Sequence, residues 1–180
     1  MSLQPCHSVT IPRASPPGGF ALRPETPADT PFLAALFASV RGPEFAGNGW
    51  PEEALRAFLA DQFRLQTLHY ARYHAGAAFF IVERRGTPVG RFCLHRGERD
   101  HRIVDISLLA EARNQGMGGA LLDWACAEAA ALGRSVSLQV EAHNPACRLY
   151  ARKGFVPTDE TGPFWQMTRA APAAVSAGML

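Results

Sequence analysis

Between Leu108 and Leu122 the chain reads as the end of an apolar strand, a short loop and a helix that opens on glycines, Arg113-Asn114-Gln115-Gly116-Met117-Gly118-Gly119-Ala120. No other segment constrains the fold as tightly. A helix N-terminus leaves several backbone N–H groups without partners and carries a partial positive charge. Phosphate oxygens satisfy both. Gly116 and Gly118 suit such a site because a Cβ would hold a phosphate away from the backbone, and Arg113 adds a charge-assisted donor. A plain strand-to-helix turn with glycines for tight packing would read the same way. Two other phosphate motifs fail: no Lys-Ser or Lys-Thr follows the glycines, as a nucleotide P-loop needs, and Leu121 stands where a dinucleotide fingerprint needs its third glycine.

The rest of the chain supplies the frame. Its 180 residues suit one domain. The division expected is a disordered or loosely extended Pro- and Gly-rich segment over 1–19, a domain over 20–169 and a fraying tail over 170–180. Phe20 to Arg23 reads as a strand. Thr26-Pro27-Ala28-Asp29 opens a helix that Gly42-Pro43 stops. A second helix runs from about Pro51 to Tyr73, with Leu55, Phe58, Leu59, Phe63 and Leu68 as its apolar stripe. Phe79–Glu83 and Val89–His95 form a hairpin across Gly86-Thr87-Pro88, and Arg102–Leu109 is a further strand. A helix over Gly116–Leu132 ends at Gly133, a strand follows over Ser135–Val140, a short helix over Pro145–Lys153, and a last strand over Phe164–Thr168. The order βααβββαβαβ describes an α/β (α+β) domain with a single mixed central sheet and about four helices.

Composition narrows the function. A net charge of +2 with no long basic run argues against a nucleic-acid surface. No stretch is long and apolar enough to span a membrane, and the N-terminus lacks the apolar core of a signal peptide. Cys6, Cys93, Cys126 and Cys147 form no CxxC pair and no zinc-like cluster, so no metal is expected. Reduced thiols fit a cytoplasmic protein.

A second motif lies one strand beyond the first: Asn144-Pro145-Ala146-Cys147-Arg148-Leu149-Tyr150-Ala151-Arg152-Lys153-Gly154-Phe155. Asn144 suits an N-cap, Pro145 the first helical position and Gly154 the position after the C-cap, with Phe155 able to pack back on Leu149 and Tyr150. A short helix pinned at both ends holds Tyr150 in place. Together the two segments resemble the GNAT superfamily of acetyltransferases. Arg113, Gly116 and Gly118 match its Q/R-x-x-G-x-G/A acyl-CoA motif. Asn144, Leu149, Tyr150, Gly154 and Phe155 match its later N…LY…GF pattern. The element order over roughly residues 20–169 resembles the family's fold.

The resemblance implies acetyl-CoA as co-substrate, with its pyrophosphate on the amides of Arg113, Asn114, Gln115, Gly116, Met117, Gly118, Gly119 and Ala120. It implies two central strands that splay apart near Leu109 and Glu141, with the pantetheine arm between them beside Leu108 and Leu109. The Leu108 amide would polarise the thioester carbonyl, Tyr150 would protonate the leaving thiolate, and Asn144 would hydrogen-bond the arm. The acceptor would be a primary amine of a small molecule or peptide. Arg41–Trp50 with Gln66, His69, Tyr70 and Tyr73 is the expected acceptor border. A homodimer is compatible with the resemblance. The sequence departs from the family in one place that matters: Arg102 stands where many members carry a glutamate base. Asp105 differs in parity from Leu108 and is expected to face away, and Glu83, His95, Glu141 and His143 are the other candidates. The alternative is a GNAT-fold module that binds acyl-CoA as a sensor without transfer.

Overall fold

The structure, a computed structural model, describes residues 19–160 and 162–172. The segment expected over 1–19 lies outside the described residues apart from Gly19, as does Cys6, and so does the tail beyond residue 172. The elements are β1 (Phe20–Pro24), α1 (Thr30–Arg41), α2 (Glu52–Tyr73), β2 (Ala77–Arg84), β3 (Thr87–Arg96), β4 (Asp100–Leu108), α3 (Met117–Ala131), β5 (Ser135–Glu141), α4 (Cys147–Arg152), β6 (Val156–Asp159) and β7 (Phe164–Arg169). Single 3-10 turns at Pro27–Asp29, Gly42–Phe45 and Ala110–Ala112 join them.

One mixed sheet carries all the strands in the order β1-β2-β3-β4-β5-β7-β6. The β4–β5 pair is parallel and the rest are antiparallel. The expected α/β order holds, with one addition. β6 is not among the expected elements: Val156-Pro157-Thr158-Asp159 is exposed throughout, so no inside–outside alternation marks it. It is an edge strand, the place where a proline costs no ladder hydrogen bond.

Both faces of the central strands are covered. Phe80, Ile81 and Val82 on β2 and the run Gly90–Leu94 on β3 are buried without alternation, the pattern of a strand sandwiched between layers. On one face α3 buries Met117, Leu121, Leu122, Ala125, Cys126 and Ala129 at helical spacing. These meet Phe80, Phe92, Leu94, Ile103, Val136 and Leu138 in the main core. Each such aliphatic or aromatic side chain contributes about 1.5–3 kcal/mol of burial. Glu128 of α3 also takes an ion pair from Arg96 and lies 3.2 Å from Nε2 of the fully buried His101. Gly133 at φ +63° ends the helix, with its N–H and that of Arg134 returning to Ala130 and Ala129.

The other face carries α1 and α2. α1 buries Leu33 and Leu36, while α2 buries only Leu59. Leu68, expected on the packed stripe of α2, is 55% exposed. The inward row instead runs through Leu59, Phe63, Gln66 and Tyr70, and Leu68 sits about 200° round the helix from Gln66. The β1–α1 junction is fixed by Arg23, which holds Asp29 through paired bonds of 2.8 and 2.6 Å and reaches Glu83 at 2.6 Å. Among the described residues no helix is long and apolar enough to cross a membrane.

Gly90 fixes the end of β4. It stands opposite Leu108, and a Cβ there would lie 2.5 Å from Leu108 Cδ2 and 2.5 Å from the Ser107 carbonyl. The Gly90→Ala variant is expected to lose about 1–3 kcal/mol through overpacking, read as a lower urea midpoint at unchanged m-value. Wild-type stability in that variant would contradict this close approach.

Candidate active site

The sheet opens as a wedge between β4 and β5. Their pairing runs from Asp100↔Ser135 to Ile103↔Leu138 and stops. Beyond it β4 stays with β3 as far as Gly90↔Leu108, and β5 stays with β7 as far as Glu141↔Phe164. Each strand keeps its outer neighbour, so the divergence leaves backbone groups facing one another across a gap. Leu109 N–H donates to Val89 O at 2.9 Å, toward β3. By the alternation of an antiparallel ladder, the Leu108 and Ile106 amides point the other way, into the gap. Arg113 Nε donates to the Leu108 carbonyl at 2.9 Å. Buried backbone groups require partners, and an extended ligand with its own amides supplies them as an added strand would.

A bulge sits where the wedge begins. Cys93 pairs with Asp105 and Leu94 with Ile103, so Val104 is the extra residue of β4. A bulge bends its strand and raises the local twist, which turns β4 away from β5 at the point where their pairing ends.

The wedge leads to the start of α3. The loop after the 3-10 turn carries Asn114 at φ +58° and Gly116, the N-cap, at φ +81°. The first bond back into the helix runs from Ala120 N–H to Gly116 O at 3.0 Å. The amides of Met117, Gly118 and Gly119 therefore precede the helical ladder and project from its positive end. Gln115 braces the loop, accepting from Arg84 and donating to the Glu111 carbonyl. The two motif glycines serve different ends. Gly116 is required by its positive φ, and a Cβ there would meet open space. At Gly118 a Cβ would lie 3.3 Å from Leu149 Cδ2, and at Gly119 3.3 Å from Lys153 Cε. Those two let α4 approach α3, a helix–helix contact that the local sequence does not reveal.

α4 closes the wedge from the β5 side. Its regular part begins at Cys147, later than expected, because the first turn is an Asx turn: Asn144 Oδ1 accepts the Ala146 N–H at 2.9 Å. The C-terminal end is as expected, with Gly154 N–H on Ala151 O, Phe155 N–H on Tyr150 O and the rings of Tyr150 and Phe155 edge to face at 6.1 Å. Tyr150 is 6% exposed. Burial, then the charges of Cys147 and Asp105, push its hydroxyl up to about 12, so it stays protonated at neutral pH.

The α2 side of the wedge holds a charged cluster that sequence reasoning missed. Arg91, 5% exposed, places Nε 3.0 Å from Glu25 Oε2 and Nη1 3.8 Å from Asp105 Oδ2. Its guanidinium lies 5.1 Å from the ring centres of both Tyr70 and Phe79. Asp105 accepts from Ser107 Oγ at 2.7 Å. Burial raises its carboxyl above the ordinary aspartate value, against the Ser107 hydrogen bond, Arg91 and the Ile106 amide. Burial likewise raises Glu25 and Tyr70. The side chain of Asp105 does point opposite to that of Leu108. That direction is the α2 face, and the group of Leu108 that reaches the gap is its amide, to which side-chain parity does not apply. The bulge at Val104 is the signal that was not legible.

The other base candidates have partners or lie apart. Glu83 is held by Arg23 and Glu141 by Arg41 at 3.1 Å. His95 lies beside Gly76, His143 is exposed, and Arg102 donates to Gln166 Oε1 at 3.1 Å. Beside the cluster, Phe37, Arg41, Phe45, Gln62, Gln66, His69 and Tyr70 line an open cavity of about 540 Å³. Gln66, His69 and Tyr70 fall where the acceptor border was expected. Tyr73 does not line it and is 61% exposed.

Comparison with known proteins agrees with this geometry. Residues 75–157 match the family described as Acetyltransferase (GNAT) domain, a stretch that holds the wedge, α3 and α4. No curated protein matches the chain by sequence. Among solved structures, the PaiA N-acetyltransferase of Thermoplasma acidophilum in complex with coenzyme A is 18% identical, with a TM-score of 0.64 over 84% of this chain and 98% of that one. A histone acetyltransferase HPA2 and related acetyltransferase from Corynebacterium glutamicum is 21% identical, TM-score 0.63, over 87% and 99%. An acetyltransferase from Thermus thermophilus is 24% identical, TM-score 0.61, over 83% and 96%. The chain has the GNAT fold, and its residues 75–157 match the GNAT acetyltransferase family.

Gly116 offers a direct check on the loop. An alanine there has room but must adopt φ +81°, a left-handed conformation that costs about 1–2 kcal/mol. Gly116→Ala is expected to lower unfolding free energy by that amount in a denaturant titration. A variant as stable as wild type would show that the helix starts otherwise.

Proposed function

We propose that the chain transfers the acetyl group of acetyl-CoA to the primary amine of a small molecule or peptide by direct attack. One observation carries the reading: the β4–β5 wedge, with Leu108 N–H in its wall, opens toward the free amides that head α3. A pantetheine arm suits the wedge because its amides can pair with strand backbone. A pyrophosphate suits the helix start because hydrogen bonds to charged groups contribute about 1.5–3 kcal/mol each. Arg113 is near enough to exchange its Leu108 carbonyl for a phosphate oxygen. Asn114, Gln115 and Ala120 flank the same cradle, Leu109 follows the wedge wall, and Asn144 lies at the head of α4.

In this reading the Leu108 amide donates to the thioester oxygen as negative charge develops on it. The amine nitrogen bonds to the carbonyl carbon, the C–S bond breaks, Tyr150 gives its proton to the departing sulfur, and the now cationic nitrogen releases a proton to solvent, from which Tyr150 is reprotonated. A phenol near 12 is protonated at working pH and still donates to a developing thiolate. The cavity between α1 and α2 would take the body of the acceptor: Phe37, Phe45 and Tyr70 offer apolar contact, and Gln62, Gln66 and His69 offer hydrogen bonds.

The test is an acetyl-CoA assay over an amine library, following thiol release. Amine-dependent release is expected, and Tyr150→Phe is expected to lower kcat by about 10²-fold while calorimetry shows unchanged acetyl-CoA affinity. Wild-type turnover in that variant across pH would remove Tyr150 from the mechanism. Binding of acetyl-CoA without turnover for any amine would favour the sensor reading.

A further inference from the structure

Arg102 occupies the position at which the family resemblance implies a glutamate base, and it is bonded to Gln166. The structure offers a carboxylate on the same face. His95 pairs with Arg102 and Cys93 with Asp105. His95 and Cys93 are two apart on β3 and so share a face. The extra residue Val104 therefore brings Arg102 and Asp105, three apart, onto that same face. Without the bulge they would point to opposite sides.

We propose that Asp105 accepts the proton of the attacking amine, an assignment that rests on the acetyl-transfer reading above. The ammonium form of the acceptor cannot attack, because its nitrogen has no free pair. An N–H bond of the ammonium breaks, the proton passes to Asp105 Oδ2, and the freed pair forms the bond to the thioester carbon. The C–S pair leaves with sulfur and takes the Tyr150 proton. The nitrogen, cationic once bonded to carbon, releases its second N–H proton to solvent and becomes a neutral amide, the Asp105 proton also passes to solvent, and Tyr150 is reprotonated from solvent.

Position, anchoring and charge all support this. Asp105 lies at the mouth of the wedge, two residues before the Ser107–Leu108 end of β4. Its hydroxyl partner Ser107 fixes Oδ1 at 2.7 Å, the Ile106 amide also supports the carboxyl, and Oδ2 stands 3.8 Å from Arg91. The side chain is 13% exposed, enough to meet a ligand and too little to be flooded by water. Arg91 is drawn more closely to Glu25, at 3.0 Å, so one guanidinium faces two carboxylates and a negative charge is left over for a cation. Tyr70 touches Arg91 and also lines the acceptor cavity, which joins that cavity to Asp105. The groups facing Asp105 are Arg91 and Cys93 from β3, Tyr70 from α2, Glu25 from the turn after β1, and Tyr150 from α4. Cys93 and Tyr70 are held neutral by burial. Burial raises the affinity of Asp105 for a proton, which brings it nearer to the amine it must relieve.

The experiment uses the full chain, acetyl-CoA and three amine probes: benzylamine, tyramine and a lysine-containing peptide. Asp105→Asn is expected to bind acetyl-CoA with the wild-type Kd and to lose about 10²-fold or more in kcat/KM for whichever probe is acetylated. The acid limb of the wild-type kcat/KM profile, set by Asp105, should vanish, and Asp105→Glu should restore part of the rate. Full turnover in Asp105→Asn with the limb intact would overturn the assignment. If that variant does not fold, or no probe is acetylated, carbon-13 titration of the aspartate carboxyls in the unmodified chain saturated with CoA decides. Benzylammonium should then lower the Asp105 carboxyl pKa, and an unmoved Asp105 resonance would overturn the assignment. Failure of the unmodified chain to bind acetyl-CoA would count instead against acetyl transfer itself.

Discussion

The parting of β4 from β5 beyond Ile103 and Leu138 is the constraint on which the rest of the site depends. Both strands remain fully paired on their outer sides, so the sheet does not unravel where it opens. The bulge at Val104 turns β4 just as its inner pairing ends. The main core on the α3 face, from Phe80 and Phe92 to Leu121 and Leu122, clamps both strands below the opening. An unpaired pair of strand edges would normally be a liability in a sheet. Here it is confined to a short wedge that an extended ligand can fill.

The two faces of the sheet divide the work. On one, α3 is bound along most of its length by buried side chains, and its start offers amides in a fixed direction. Such rigidity matters for an anion site, because each hydrogen bond to a charged oxygen is worth about 1.5–3 kcal/mol, while the helix dipole adds only about 0.3–1 kcal/mol. Position of the amides therefore decides affinity. On the other face α2 buries Leu59 alone and presents Gln62, Gln66, His69 and Tyr70 to a cavity. Sequence can vary there at little cost to the core, as suits a surface that chooses an acceptor. The family match over 75–157 covers the first face and leaves α1 and α2 outside it.

The legible parts of the chain were those written locally. Gly116 before a helix, Gly154 and Phe155 after one, and buried strands without alternation each state a backbone need in a few residues. Both motifs, the element order and the Tyr150–Phe155 contact followed from such signals. What escaped were features that depend on neighbours distant in sequence. β6 is a strand only because β7 pairs with it. Gly118 is small because Leu149 lies against it. Leu68 looks apolar, yet the helix face that meets α1 and the sheet runs through Gln66 and Tyr70. Asp105 was set aside by its side-chain parity with Leu108, which holds, but Leu108 meets the gap through its amide, and only the pairing with β3 reveals the extra residue that brings Asp105 onto the face of Arg102.

Amide hydrogen exchange, resolved by residue and measured with and without coenzyme A, tests the central claim most directly. The account predicts that the ligand slows exchange at Leu108 in the wedge and at Met117, Gly118 and Gly119 at the head of α3. Coenzyme A bound to the protein with those amides exchanging as freely as before would contradict it.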